Sequence, residues 1–230
     1  MPTAIPDLHF RVATAADLPL VHTLVESAYR GDESRLGWTT EADLLAGTRI
    51  DDGSLLAKIT NPAGAVLLAY TTTTTTTSPP PSSSEREAAE TLLGCCEISQ
   101  QHPSSSKSAY FALFAVSPRQ QNAGVGRRVL AHAEAYAARE WGVARVELTV
   151  VAARAELLAW YVRRGYRVTG VERPFPEEEL EKMGGKALVD WEMLRFLVLE
   201  KILGEGEGVE ERGVVVGKGD GVPTPLSVES

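Results

Sequence analysis

The segment Val116-Ser117-Pro118-Arg119-Gln120-Gln121-Asn122-Ala123-Gly124-Val125-Gly126 constrains the fold more than any other part of this 230-residue chain. Before it, residues 109–116 are continuously apolar, the pattern of a strand buried on both faces. After it, residues 124–140 carry Val125, Val129, Ala133 and Tyr136 along one stripe, which predicts an amphipathic helix. Pro118 ends the strand, and Gly124 and Gly126 leave the backbone open where the helix begins. Such a turn presents unpaired N–H groups at the positive end of a helix dipole, which suits a phosphate or pyrophosphate. Arg127 and Arg128, one turn inside, add charge. A short Gly-rich match alone describes a plain strand-to-helix turn equally well, so its weight depends on what surrounds it.

The surroundings alternate strands and helices. Residues 10–13 read as a strand. Thr14, with Asp17 three residues on, caps a helix whose inner face is Leu18, Val21, Leu24, Val25 and Ala28. Residues 39–45 predict a short second helix and residues 52–60 a third, which Asn61-Pro62 must end. Strands are expected at 65–70 and 92–99, joined by the Thr/Ser/Pro run 71–84, which cannot pack a core. A strand at 145–151, a helix at 155–164, a strand at 166–171 and a last strand at 188–199 carrying Trp191 and Met193 complete the pattern. The fold class is therefore α/β or α+β around a mixed sheet. One domain is expected over 1–203, with a Thr/Ser/Pro-rich insertion at 71–90 and a flexible Gly- and charge-rich tail at 204–230.

In this order (apolar strand, Val-x-Pro, Gln-x-x-Gly-x-Gly, helix, strand, helix, then Tyr161-Val162-Arg163-Arg164-Gly165-Tyr166 and a strand) the chain resembles the GNAT acetyltransferase superfamily. The resemblance runs from about His9 to Val171 and on through the terminal strand. It implies a mixed, twisted sheet with helices on both faces, splayed open between strands ending near Val116 and Val150, with acetyl-CoA in the opening. It further implies that the amides of Gln121, Asn122, Ala123, Gly124, Val125 and Gly126, with Arg127, hold the pyrophosphate. The backbone of Phe114, Ala115 and Val116 would bond the pantetheine arm, with one amide facing the thioester carbonyl. Tyr161 corresponds to the tyrosine that protonates the leaving thiolate. Arg154 stands where the family often has Asn and is assigned to CoA. A Gly-x-Gly-x-x-Gly dinucleotide fingerprint is absent from the sequence.

The acceptor amine, with a pKa of about 10.4, must lose a proton before attack, which requires a base. Glu97, on the strand beside the apolar one, is the candidate, although a solvent-facing carboxylate fits it as well; Glu33 ranks lower. Tyr29 and Trp38, in the segment linking the first two helices, are assigned to the acceptor pocket or to closing the core edge. The four histidines lack metal-ligand spacing, and Glu177-Glu178-Glu179 reads as a solvated face. Adjacent Cys95 and Cys96 fit neither a disulfide framework nor a zinc site and suggest a reducing, cytoplasmic setting.

With 23 Lys and Arg against 31 Asp and Glu, the net charge of −8 argues against nucleic acid as a partner and favours a cationic small molecule. No secretory or membrane-spanning segment is expected. The reading is an N-acetyltransferase moving acetyl from acetyl-CoA to a primary amine of a small molecule in a ternary complex, without a metal. The alternatives are a protein or peptide acceptor, or a CoA-binding module without catalysis. A homodimer is the other candidate partner, in which the last strand and the tail could swap or pair between subunits.

Overall fold

A computed structural model describes residues 7–74, 88–101, 107–182 and 184–204. In chain order its elements are β1 (His9–Val12), a 3₁₀ turn at Ala15–Asp17, α1 (Leu18–Tyr29), α2 (Gly31–Ser34), β2 (Leu45–Ala46), α3 (Asp52–Ile59), β3 (Gly64–Thr74), β4 (Ala88–Gln101) and β5 (Ser108–Val116). A 3₁₀ turn at Pro118–Gln120 leads into α4 (Val125–Trp141), β6 (Arg145–Val151), α5 (Ala155–Val162), β7 (Arg167–Arg173), α6 (Glu177–Lys182), β8 (Lys186–Ala187), α7 (Trp191–Leu194) and β9 (Phe196–Ile202). Seven strands form one sheet in the order β1-β3-β4-β5-β6-β9-β7, and β2 pairs with β8 separately. All neighbours are antiparallel except β5 and β6, the one parallel pair among the described strands. The mixed sheet expected from the sequence is present.

Two apolar layers enclose the sheet. On one face, α1 and α3 place Val21, Leu24, Val25, Leu55 and Ile59 against Val66, Leu68, Cys95, Leu113 and Ala115. On the other, α4 and α5 place Val125, Val129, Ala133, Ala137 and Tyr161 against Leu67, Cys96, Ile98, Phe111, Val146 and Leu148. Neighbouring strand residues such as Leu67 and Leu68 thus serve opposite layers, as the period of two requires. Each fully buried aliphatic side chain contributes about 1.5–3 kcal/mol relative to exposure. Among the described residues, no helix is long and apolar enough to cross a membrane.

Several boundaries differ from the sequence reading. Residues 39–45 are not a helix. Leu44 and Leu45 both donate to the Glu41 carbonyl at 2.9 Å, which closes a single turn. Leu45 and Ala46 then pair with Ala187 and Lys186, which commits the next backbone groups to a ladder. The expected long last strand is instead α7 followed by β9, because Asp190 starts a short turn that buries Leu194; Trp191 lies on α7, its ring tilted against Phe175 with centroids 6.1 Å apart. Thr71 to Thr74 are ladder residues opposite Thr91 to Ala88, so those parts of the 71–90 insertion extend the β3–β4 hairpin. Residues 75–87 and the tail beyond 204 lie outside the described residues.

Candidate active site

The site is made by two departures from a regular sheet. β5 and β6 pair only at Ser108↔Arg145, Ala109↔Val146 and Tyr110↔Glu147, and beyond them the strands part. Between β4 and β5, Cys95 faces Ala115 and Glu97 faces Ala112, so Leu113 and Phe114 of β5 together oppose the single residue Cys96. This is a β-bulge, and Leu113 occupies the left-handed region at φ 47°. That backbone costs roughly 1–2 kcal/mol for a residue with a Cβ. The extra residue resets the alternation, so Leu113 packs towards α1 while Phe114 packs towards α4.

The bulge and the parting together free main-chain donors. Ser117 donates its N–H to the Leu93 carbonyl of β4 at 2.9 Å. By alternation, the backbone of Ala115 also faces β4, whereas the N–H groups of Phe114 and Val116 face the gap. The Phe114 carbonyl accepts a 2.7 Å hydrogen bond from the Tyr29 hydroxyl, and the Val116 carbonyl accepts one from Gln121 Nε2 at 3.4 Å.

A cavity of about 900 Å³ passes through this gap. At one end is the start of α4, where Asn122 at φ 67° and Gly124 at φ 80° turn the chain so that the helix begins at Val125. Arg128 makes the first hydrogen bond back to Gly124, leaving the amides of Val125, Gly126 and Arg127 without helical acceptors. A Cβ on Gly126 would sit 3.2 Å from Phe114 Cζ and 3.6 Å from the Trp160 ring, so glycine keeps this floor open. Arg127, Arg163 and Arg164 line the same end. Arg164 stacks on Trp160 at 3.4 Å, its buried Nε has no partner among the described residues, and burial together with Arg163 and Arg127 pulls its pKa down. Three cations that repel one another beside a helix N-terminus form a donor set fitted to phosphates.

The middle of the cavity is aromatic. Tyr161 on α5 is 5% exposed and meets Trp160 at 5.0 Å and Tyr166 at 5.5 Å, both edge-on. Burial raises its phenol pKa well above the usual 10, so the hydroxyl stays protonated at neutral pH. Burial also pushes the Cys95 thiol up to about 12, and the Cys96 thiol rises for the same reason. Such thiols are almost wholly un-ionised at pH 7 and are not nucleophiles.

The other end lies on the α1 side. Glu41 Oε2 accepts from Arg30 at 2.9 Å, Glu41 Oε1 accepts from Arg154 at 2.8 Å, and Arg49 Nε lies 3.9 Å from Oε2. Burial alone would raise the Glu41 pKa, but Arg154, Arg49 and Arg30 outweigh it and hold the carboxyl below its usual range. Arg154 also donates to the Thr39 hydroxyl, and the Arg49 guanidinium lies over the Tyr29 ring at 4.9 Å. Among the described residues, no cluster of His, Cys, Asp and Glu could hold a metal ion.

Residues 66–166 match the family model described as the acetyltransferase (GNAT) family. Those residues carry the GNAT-family match. That match spans the bulge, the α4 turn and Tyr161. Solved structures with the same fold include the IAA acetyltransferase from Bacillus cereus ATCC 14579, at 14% identity and TM-score 0.53, covering 86% of this chain and 100% of that one. The ribosomal-protein-S18-alanine N-acetyltransferase from Escherichia coli has 14% identity and TM-score 0.53, over 88% and 99% of the two chains. The spermidine N-acetyltransferase from Vibrio cholerae, in complex with CoA and spermine, has 16% identity and TM-score 0.54, over 85% and 95%. No curated protein sequence matches the chain.

Tyr29 and Trp38, and within the matched residues Phe114, Val116, Gln121, Asn122, Gly124, Gly126, Arg127, Arg154 and Tyr161, all singled out in the sequence, line this cavity. Ala115 and Val125 are buried in the two layers, and Ala123 packs against the core. The Gln121 side chain takes the Trp38 N–H at 2.9 Å and so ties the segment between α2 and β2 to the α4 turn. Arg154 is committed to Glu41 and Thr39 on the α1 side. Glu97 stands behind the wall, 2.7 Å from Lys58 Nζ, and it is Lys58 that lines the cavity. Sequence reasoning missed Arg49, Glu41 and Lys58, which belong to no motif. It also missed Arg163 and Arg164, although both lie inside the quoted Tyr161–Tyr166 pattern.

Proposed function

We propose that the protein is an acetyl-CoA-dependent N-acetyltransferase acting on a primary amine of a small molecule, by direct transfer in a ternary complex. The observation that carries this reading is the set of main-chain donors opened by the parting of β5 and β6, at Phe114, Val116 and the first turn of α4, with Tyr161 beside them. The cradle over Gly126 and the Arg127, Arg163 and Arg164 set fit the phosphates of CoA. The gap-facing amides of β5 extend the sheet along the pantetheine arm and donate to the thioester oxygen as charge develops on it. The thioester supplies the acyl group. The amine lone pair forms the new C–N bond, the C–S bond breaks, and Tyr161 Oη donates a hydrogen bond to the departing sulfur. Glu97 accepts the amine's proton through cavity solvent, since it does not line the wall itself. An acyl-cysteine is not required, and the raised Cys95 and Cys96 thiols are consistent with its absence. The two free buried thiols suit a reducing cytoplasm.

Calorimetry with acetyl-CoA, followed by thiol release over a panel of amines, tests the reading. The expected result is saturable binding and amine-dependent release. Absence of binding would overturn it; binding without release for any amine or peptide would leave a CoA-binding module.

A further inference from the structure

The cavity has two cationic ends, and only one is accounted for by phosphates. At the α1 end, Arg30, Arg49 and Arg154 share the single carboxylate of Glu41, while Glu26 is taken up by the Arg49 and Ile50 N–H groups and Glu156 is reached from Arg154 only through the Thr39 hydroxyl, so the guanidiniums outnumber the carboxylates they are paired with. The buried Nε atoms of all three lack a hydrogen-bond partner among the described residues. Arg49 is the least committed, because its approach to Glu41 at 3.9 Å is too long for a hydrogen bond. The other cations on this side add no excess, since Lys58 pairs with Glu97 at 2.7 Å and Arg173 with Glu147 at 2.7 Å. Besides Glu41, the acidic side chain lining the cavity is Glu179, which is exposed to water. A polycationic amine would meet repulsion here, while an anion would complete a cluster that is costly to leave unpaired.

We propose that the acceptor amine carries a carboxylate, seated on Arg49 with Arg154 beside it, so that the acceptor is an amino acid or a short amino carboxylate. This rests on the acetyltransferase reading above. The guanidinium fork matches a carboxylate in two parallel hydrogen bonds. Tyr29 sets the distance: Arg49 lies over its ring, and its hydroxyl donates to the Phe114 carbonyl at the bulge. The cation is therefore one phenol ring from the place where the acyl carbon is presented, which fits a carboxylate only a few bonds from the nucleophilic nitrogen. The net charge of −8 gives the opposite expectation of a cationic acceptor, because it averages over a surface whose cavity is locally basic.

The test compares amino acids with the amines left when the carboxylate is removed, such as phenylalanine with phenethylamine and ornithine with putrescine, together with spermidine and the standard amino acids. Thiol release from acetyl-CoA is the readout, with calorimetry of acetyl-CoA alongside. Carboxylated members are expected to have kcat/KM at least about 10-fold above their partners, the lower end for a charged hydrogen-bonded pair. Arg49→Gln should lower the carboxylated values about 10- to 100-fold through KM and bring each pair together, while acetyl-CoA affinity stays within about twofold. Arg49→Lys, which keeps charge without the fork, should fall between. Equal or better turnover of the decarboxylated amines, an unchanged ratio in Arg49→Gln, or acetylation of other amines with no amino acid acetylated would overturn this inference alone; bound acetyl-CoA with no amine of any kind acetylated would remove the acetyltransferase reading as well. Failure of acetyl-CoA to bind the wild-type protein would remove the acetyltransferase reading and this inference with it.

Discussion

Replacing Tyr161 with Phe separates chemistry from folding more cleanly than any other change. The ring is 5% exposed and its edge contacts with Trp160 and Tyr166 involve carbon atoms that Phe retains. The hydroxyl makes no hydrogen bond to another described residue, so nothing in the fold is left unpaired when it goes. Stability should change by less than about 0.5 kcal/mol. For a chain of this length that shifts Tm by no more than about 2 °C. Turnover behaves differently. A phenol above 10 facing a thiolate near 8.5 makes complete proton transfer uphill by at least about 2 kcal/mol, so the stabilisation comes from a hydrogen bond that strengthens as the sulfur gains charge. Its loss should lower kcat by about 10²- to 10³-fold. Thiol release followed by a chromogenic disulfide gives kcat, and calorimetry should show acetyl-CoA affinity within about twofold of wild type. Because burial raises the phenol's pKa, Tyr161 stays neutral, and no alkaline fall in rate below pH 10 should trace to it. A Phe variant within about threefold of wild-type kcat would refute the reasoning, since general acid assistance is worth far more.

Glu41→Gln removes the one carboxylate that three guanidiniums share, and should cost about 3–5 kcal/mol in urea unfolding at pH 7; equal stability would show the cluster is not paired as described. The Glu41 carboxyl is depressed in the folded state, so its contribution is present above the ordinary 4.5 and is lost as pH falls through the lower folded value, and acid unfolding should be steeper in wild type than in the variant. Gly126→Val places a branched side chain against Phe114 and Trp160 and should weaken acetyl-CoA binding by at least about 10-fold while the helix remains folded; unchanged affinity would take the α4 turn out of the binding site. Glu97→Gln should lower kcat by about 10²-fold with acetyl-CoA affinity retained, and undiminished turnover would assign the proton to solvent alone.

The parts of the fold legible in the sequence are those where periodicity is long. The stripe on α4, the apolar β5 and the inner face of α1, entered through the 3₁₀ turn that Thr14 and Asp17 box, each bury a face large enough to dominate local preference. Residues 39–45 and 188–199 misled because their apolar residues serve a small third cluster, where Leu45, Val151, Leu180 and Leu194 meet from four separate segments. A propensity that short is overridden by the contact it finds. The bulge at Leu113 was invisible for a different reason: no glycine marks it, and in the run Tyr110 to Val116 every side chain but that of Tyr110 is apolar, so a slip in phase leaves the pattern unchanged. The α4 turn and Tyr161 were readable as a spaced motif, whereas Arg49, Glu41 and Arg30 come together from three places in the chain and no spacing announces them.

A cavity lined from both faces of the sheet has a kinetic corollary. On the proposed reading the nucleotide-bearing reactant lies on the α4 side and the amine on the α1 side of the cavity, so neither must step aside for the other. Initial-rate patterns should therefore intersect with no compulsory sequence of arrival, and the acylated amine can depart while its partner product is still in place.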